Sequence, residues 1–212
     1  MAIWILKAVV QKTISFLPAS QKINYFFQKH ITKGVSLSDE WFEDKLIHCS
    51  DHFSAFAKYN KDPGSFKVVE LGTGWFPVVP LGLFLCGADE VITYDLNSLL
   101  RDENVRATVE KFKTYHKSGK LKKFLPLINE ERLNTLLGSE EKTTTAISEK
   151  FKMKAIVSDA SKTSIPPLSV DLIVSNNVFE HVYPEILKNI LTEFKRIAKQ
   201  GSVMSHFIDM TD

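Results

Sequence analysis

The stretch Val68-Val69-Glu70-Leu71-Gly72-Thr73-Gly74-Trp75-Phe76-Pro77 decides the fold. An apolar run ends in an acid, passes through a Gly-x-Gly turn and continues into a second apolar run. Glycine lacks a Cβ and takes φ > 0, so such a turn brings backbone N–H groups close to a nucleotide-like ligand. A dinucleotide site asks for G-x-G-x-x-G, and Pro77 stands where its last glycine would be. Glu70 lies two residues before the first glycine, where a carboxylate meets a cationic ligand end rather than a pyrophosphate.

Outward from this turn the pattern alternates. Short β-rich runs at 67–71, 90–96, 154–159, 170–176 and 202–208 are predicted strands. Segments 77–86, 98–118 and 184–199 are predicted helices, the first with prolines in its opening turn and Gly87 as its stop. Strands alternating with helices predict a doubly wound, mostly parallel α/β sheet over residues 63–212, with the ligand at the carboxyl ends of the strands. Residues 1–62 read as a helical extension. Ile3, Leu6, Val10, Ile14 and Leu17 recur at helical spacing, a second helix runs through Ile23–His30, and a third opens at Ser38-Asp39-Glu40 and runs to Phe56. Segment 120–152 is longer than a minimal crossover. It reads as a charged surface insertion, with a lid over the ligand as the alternative.

Composition sets the outer bounds. The chain has 212 residues, with 27 basic and 25 acidic side chains for a net charge of +2. That balance gives no bulk-charge argument for a nucleic acid partner. Cys49 and Cys86 are the only cysteines, so no disulfide framework or zinc ribbon is expected and a reducing, cytoplasmic setting is the default. The apolar start is interrupted by Lys7 and is too short to span a bilayer. Trp4, Phe16, Tyr25, Phe26 and Phe27 among Lys7, Lys12, Lys22 and Lys29 suit either peripheral contact with the inner face of a membrane or a helical cap over the site. His48 and His52 share a helix face, as metal ligands can, but nothing completes a shell, and packing on the catalytic domain is the preferred reading.

Three segments in order carry a resemblance. Glu70–Pro77, Tyr94-Asp95-Leu96 and Asp171-Leu172-Ile173-Val174-Ser175-Asn176-Asn177-Val178-Phe179-Glu180-His181-Val182 resemble the motifs of class I S-adenosylmethionine-dependent methyltransferases. They look like a bacterial branch acting on small or glycan-linked acceptors. The resemblance implies S-adenosylmethionine as cofactor and methyl transfer to an O or N atom. It implies that Glu70 and the amides of Gly72, Thr73 and Gly74 face the methionine end, and that Asp95 accepts from both ribose hydroxyls. Leu96 and Ala160 would sandwich the adenine, with Asp159 accepting its amino proton. Asn176 and Asn177 would lie beside the sulfonium. Each strand-end aspartate alone is more often a turn former or helix cap; their order together is what argues for a site.

Two catalytic candidates follow. His181 is the one histidine that the third motif brings near the transfer point, as a general base; the alternative has Glu180 capping a helix and His181 orienting the loop. On the fifth strand, alternation puts Met204, His206 and Ile208 on one face and Ser205, Phe207 and Asp209 on the other. His206 is expected buried, and Asp209 at the functional rim is the acceptor-site candidate.

The family's sheet has seven strands, whereas this sequence ends at Asp212, just after the fifth. The expectation is a truncated sheet whose last strand is an exposed edge, inviting a partner strand or a homodimer. Two rival functions remain: a non-catalytic methyltransferase-like binding module, and a nicotinamide-dependent oxidoreductase, against which the missing glycine and the position of Glu70 both count.

Overall fold

The computed structural model describes residues 36–60 and 64–210. The expected helices at 3–17 and 23–30, with the aromatic and basic residues read as a membrane face, lie outside the described residues, as does the expected boundary at 62/63. Contacts divide the chain into two compact units, Met1–Trp41 and Phe42–Asp212. The described part of the first is the start of helix α1 (Asp39–Tyr59), where Ser38 Oγ accepts from the Trp41 N–H at 3.2 Å. No helix among the described residues is long and apolar enough to cross a membrane.

The second unit is built on a five-stranded, wholly parallel sheet. Its strands are β1 (Phe66–Leu71), β2 (Ala88–Asp95), β3 (Met153–Val157), β4 (Val170–Asn176) and β5 (Ala198–Phe207), in the order β3-β2-β1-β4-β5. The chain moves outward on one side of β1 and then returns to build the other side. The ends of β1 and β4 therefore send their chains in opposite directions and leave a crevice, the usual ligand site of such sheets. Register levels the rim: Leu71 pairs with Tyr94 and with Ser175, Asp95 with Val157, and Asn176 with Phe207.

Apolar faces fix the layers. On one side α7 (Pro184–Ile197) lays Ile190, Phe194 and Ile197 on Val69, Ile92, Tyr94 and Ile173 of the sheet. On the other, α1 buries Phe42, Leu46, Cys49, Phe53 and Phe56, and α2 (Val78–Leu85) is buried at every residue. The two helices meet closely because Gly82 lacks a side chain; a Cβ there would stand 2.6 Å from Cys49 Sγ. Helix α3 (Asp102–Lys117) carries acids in its first turn and bases in its last, which suits the helix dipole.

Residues 120–152 correct the sequence reading. They fold as α4 (Leu121–Phe124), α5 (Glu130–Leu137) and α6 (Thr144–Lys150), and Leu121, Leu125, Leu133, Leu136 and Ile147 are almost wholly buried. The Arg132 guanidinium lies over the Phe84 ring and pairs with Asp89. The segment is part of the core beside α2 and α3, not a surface insertion. A second correction concerns β5. The helix before it stops at Ile197 rather than 199, and the strand begins at once. The β4–β5 register shifts between Val170 and Leu172, and Gly201 takes φ +81°, so Gly201 lies within the strand rather than closing the helix.

Candidate functional site

A cavity of about 720 Å³ opens at the carboxyl rim of the sheet, a volume in the ordinary range for small-molecule sites. Four strand ends supply its walls. Gly72 and Gly74 follow β1, Asp95 and Leu96 end β2, Ser158, Asp159 and Ala160 follow β3, and Asn176 and Asn177 end β4. Val178, His181, Val182 and Tyr183 continue the wall into α7, which adds Ile186 and Ile190.

The glycine turn is shaped by two constraints. Gly72 and Gly74 have φ of +82° and +68°, in the left-handed region that a Cβ disfavours. A Cβ on Gly72 would also collide with Val178 Cγ2. The Gly72 N–H bonds to Tyr94 O at 2.8 Å, and that of Gly74 to Asp95 Oδ2 at 3.3 Å. Asp95 Oδ1 accepts from the Asn97 N–H at 3.1 Å. Asp95 thus ties the glycine turn to the end of β2, and each of its oxygens keeps a further lone pair for a ligand.

Asp159 accepts from the Ser161 N–H at 2.8 Å. This is the turn-forming bond expected of a strand-end aspartate, made by a residue that also lines the cavity. The loop behind it is clamped to α7. Glu193 Oε1 accepts from Thr163 N–H and Oγ1 at 2.7 and 2.6 Å, and Arg196 binds both Glu193 and the Ile165 carbonyl. The Arg196 guanidinium and these Thr163 bonds hold the Glu193 carboxyl down at about 2.

Glu70 departs from its expected place. It is 2% exposed and does not line the cavity; it lies beneath the turn, on the side of the sheet that faces α1. Burial, followed by the Asp95 charge, pushes its carboxyl well above the usual range, and the Asn176 amide and Lys45 offset this in part. Glu70 Oε2, Thr73 Oγ1 and Asn176 Nδ2 are buried without a hydrogen-bond partner among the described residues. Buried polar atoms are normally paired; the Glu70 carboxyl and the Asn176 amide are close enough to act on each other, although neither Glu70 Oε2 nor Asn176 Nδ2 completes a hydrogen bond of ordinary geometry. Thr73 itself lines a smaller neighbouring cavity of about 190 Å³, which it shares with Gly74 and Asp95.

The remaining candidates separate. Leu96 is 73% exposed while Ala160 is 3% exposed, and both line the cavity. His181 sits in a short 3-10 turn (Phe179–His181) with its side chain exposed in the cavity wall. Asp209 is not a lining residue; its N–H is 3.4 Å from Glu180 Oε1. His206 is half-buried in β5 rather than fully buried, bonded through Nδ1 to Ser175 Oγ at 2.9 Å and stacked on Phe194, with desolvation lowering it to about 4.

Sequence reasoning missed the role of α1. His52 Nε2 is 3.0 Å from Asn176 Oδ1 and its Nδ1 is 2.8 Å from Ser205 Oγ. Lys45 Nζ donates to Asn177 Oδ1 at 3.1 Å, and His48 stacks on Phe207 at 3.6 Å. The signal was present as the shared face of His48 and His52, but it spoke for neighbours on β4 and β5 rather than for a metal.

Comparison with known proteins adds the following. Residues 133–205 match the sequence family described as a methyltransferase domain. That match runs from α5 into β5 and leaves out the glycine turn. No curated protein sequence matches the chain. The fold is similar to the PH0226 protein of Pyrococcus horikoshii OT3 at 19% identity and a TM-score of 0.49, covering 83% of this chain and 58% of that one. It is similar to the magnesium protoporphyrin IX methyltransferase of Synechocystis PCC 6803, solved with bound S-adenosylmethionine, at 11% identity and a TM-score of 0.43, covering 86% and 73%. It is also similar to a phosphoethanolamine N-methyltransferase of Haemonchus contortus at 14% identity and a TM-score of 0.36, covering 70% and 24%. The chain spans little more than half the length of the Pyrococcus protein and about a quarter of the Haemonchus enzyme.

Proposed function

We infer that this chain is a class I S-adenosylmethionine-dependent methyltransferase, supported by the methyltransferase-domain match over residues 133–205, and that it transfers a methyl group to an O or N atom of a small-molecule or glycan-linked acceptor. The observation that carries the reading is the convergence of Gly72, Gly74, Asp95, Asp159 and Asn176 from four strand ends on one cavity of about 720 Å³. Glu70, buried beneath the turn beside Asn176, supplies a carboxyl next to this cavity, which suits a ligand with a cationic end.

In this assignment the Gly72, Thr73 and Gly74 amides hold the methionine end, and the Glu70 carboxyl acts from beneath. Asp95 accepts from the ribose hydroxyls through lone pairs not used by Gly74 and Asn97. Ala160 and Leu96 enclose the adenine, with Asp159 accepting its amino proton. S-adenosylmethionine supplies an electrophilic methyl on a positively charged sulfur. Transfer neutralises that charge, so the residues of the cavity mainly position the reactants and exclude water. His181, the histidine in the cavity wall, takes a proton when the acceptor has one to lose.

Titration calorimetry with S-adenosylhomocysteine and with NADH tests the reading. Micromolar or tighter binding of S-adenosylhomocysteine with no NADH binding supports it; the reverse sinks it. Methyl-labelled cofactor offered with amine, hydroxyl and glycan acceptors then separates an enzyme from a binding module.

A further inference from the structure

Helix α1 carries Lys45, His48 and His52 on one face, at spacings of three and four. That face meets the ends of β4 and β5. Lys45 Nζ is 3.1 Å from Asn177 Oδ1 and 3.3 Å from His48 Nδ1. His52, 2% exposed, bridges Asn176 Oδ1 at 3.0 Å and Ser205 Oγ at 2.8 Å.

Donor chemistry turns these contacts into orientations. An ammonium can only donate, so Asn177 must present its carboxamide oxygen to Lys45 and its amino edge elsewhere. A neutral imidazole donates from one nitrogen and accepts at the other. With Nε2–H donating to Asn176 Oδ1 and Nδ1 accepting from the Ser205 hydroxyl, every partner of His52 is satisfied. The amino edge of Asn176 is then turned from His52 toward the buried Glu70 carboxyl, where Nδ2 makes no hydrogen bond of ordinary geometry among the described residues. Asn177 holds φ +54°, a conformation that a side-chain tether helps to maintain. Both asparagines line the cavity.

We propose that Lys45 and His52 are positioning residues of the methyl-transfer site: from α1 they hold the carboxamide oxygens of Asn177 and Asn176, so that each amino edge is turned from its α1 partner in one fixed orientation. The proposal rests on the methyltransferase reading for its function but not for its geometry. It gives α1 a task in the chemistry, because whatever shifts this helix also rotates the amides at the rim.

Asparagine-selective ¹⁵N spectra of the side-chain amides, S-adenosylhomocysteine calorimetry and thermal melts test it on the full chain. His52→Ala is expected to displace the Asn176 amide signals and weaken S-adenosylhomocysteine about tenfold, the order of one lost hydrogen bond. His52→Gln, whose amide can still donate to Asn176, restores both. Lys45→Met displaces the Asn177 signals and Lys45→Arg restores them. A merely structural role would lower the melting temperature and leave the amide signals and affinity in place, and that result overturns the proposal, as does failure of the conservative variants to restore. Should His52→Ala not fold, the Lys45 pair decides, and an unmoved Asn177 signal in Lys45→Met is fatal. If the wild type binds no S-adenosylhomocysteine, the functional reading fails on its own, while the amide spectra still judge the positioning.

Discussion

The Gly74 N–H points at Asp95 Oδ2, 3.3 Å away, and so joins the turn after β1 to the end of β2. One carboxylate therefore shapes the glycine turn and faces the cavity. Asp95→Ala removes both contributions. Charge-assisted hydrogen bonds are each worth about 1.5–3 kcal/mol, so S-adenosylhomocysteine affinity is expected to fall by roughly a hundredfold or more. Calorimetry on the purified variant checks this, and unchanged affinity would show that the ribose lies elsewhere.

Gly72→Ala meets two penalties, a left-handed φ and a collision with Val178. Backbone strain and overpacking each cost about 1–3 kcal/mol, so stability should drop by roughly 2–5 kcal/mol in urea unfolding. Val178→Ala made on top should recover the collision part and leave the strain. Purely additive losses in the double variant would mean that the two residues do not touch.

Acid should unfold the protein early. His52 is held at about 4, first by burial, with the His48 and Lys45 charges lowering it and Asp51 and the Asn176 bond opposing. His206 is also held at about 4, by burial and then by His52. Both are neutral in the folded state and take up a proton near 6.5 when unfolded. Their stabilisation is thus complete above about pH 6.5 and is lost as pH falls toward 4. For His52 the span is roughly 3 kcal/mol. Melting temperatures of the wild type and His52→Gln between pH 7 and 4.5 should converge as the pH falls. Parallel curves would contradict the assignment.

Leu133 is 1% exposed within α5. Leu133→Ala should cost about 2–5 kcal/mol, as buried leucines do. A surface insertion would lose less than about 0.5 kcal/mol, so denaturant titration separates the two descriptions of residues 120–152.

Glu193→Gln keeps the shape of the clamp but removes the charge that Arg196 and Thr163 bind. The loop bearing Asp159 and Ala160 should loosen, read as faster amide exchange at Thr163 and Ile165. Cofactor affinity should weaken by less than in Asp95→Ala. Unchanged exchange would show that the clamp is not needed.

What the sequence disclosed depended on how local the signal was. The Glu70–Pro77 turn was legible because glycine at φ > 0 leaves a mark at two closely spaced positions, Gly72 and Gly74. Asp95, Asp159 and Asn176 were legible as strand ends because the β-rich runs are short and sharply bounded. The burial of Glu70 was not, since a five-residue run does not say which face a distant helix will roof. The partners of the rim asparagines were hidden for the same reason: His52 and Asn176 are 124 residues apart, and Lys45 and Asn177 are 132 apart. Residues 120–152 misled because the buried Leu121, Leu133, Leu136 and Ile147 are spread over three helices of four to eight residues, each too short to show a helical period.

The central pairing of β1 with β4 has a consequence for how the protein comes into being. The Lys67 N–H is bonded to an Asp171 carboxylate 104 residues further along the chain, and the cavity has no far wall until that pairing closes. Contacts so distant in sequence form slowly, because loop closure precedes any gain from them. A growing chain on the ribosome therefore carries its glycine turn long before it can hold a ligand. On the proposed reading, cofactor capture is a late event of synthesis, possible only once Asn176 has left the exit tunnel and docked beside β1.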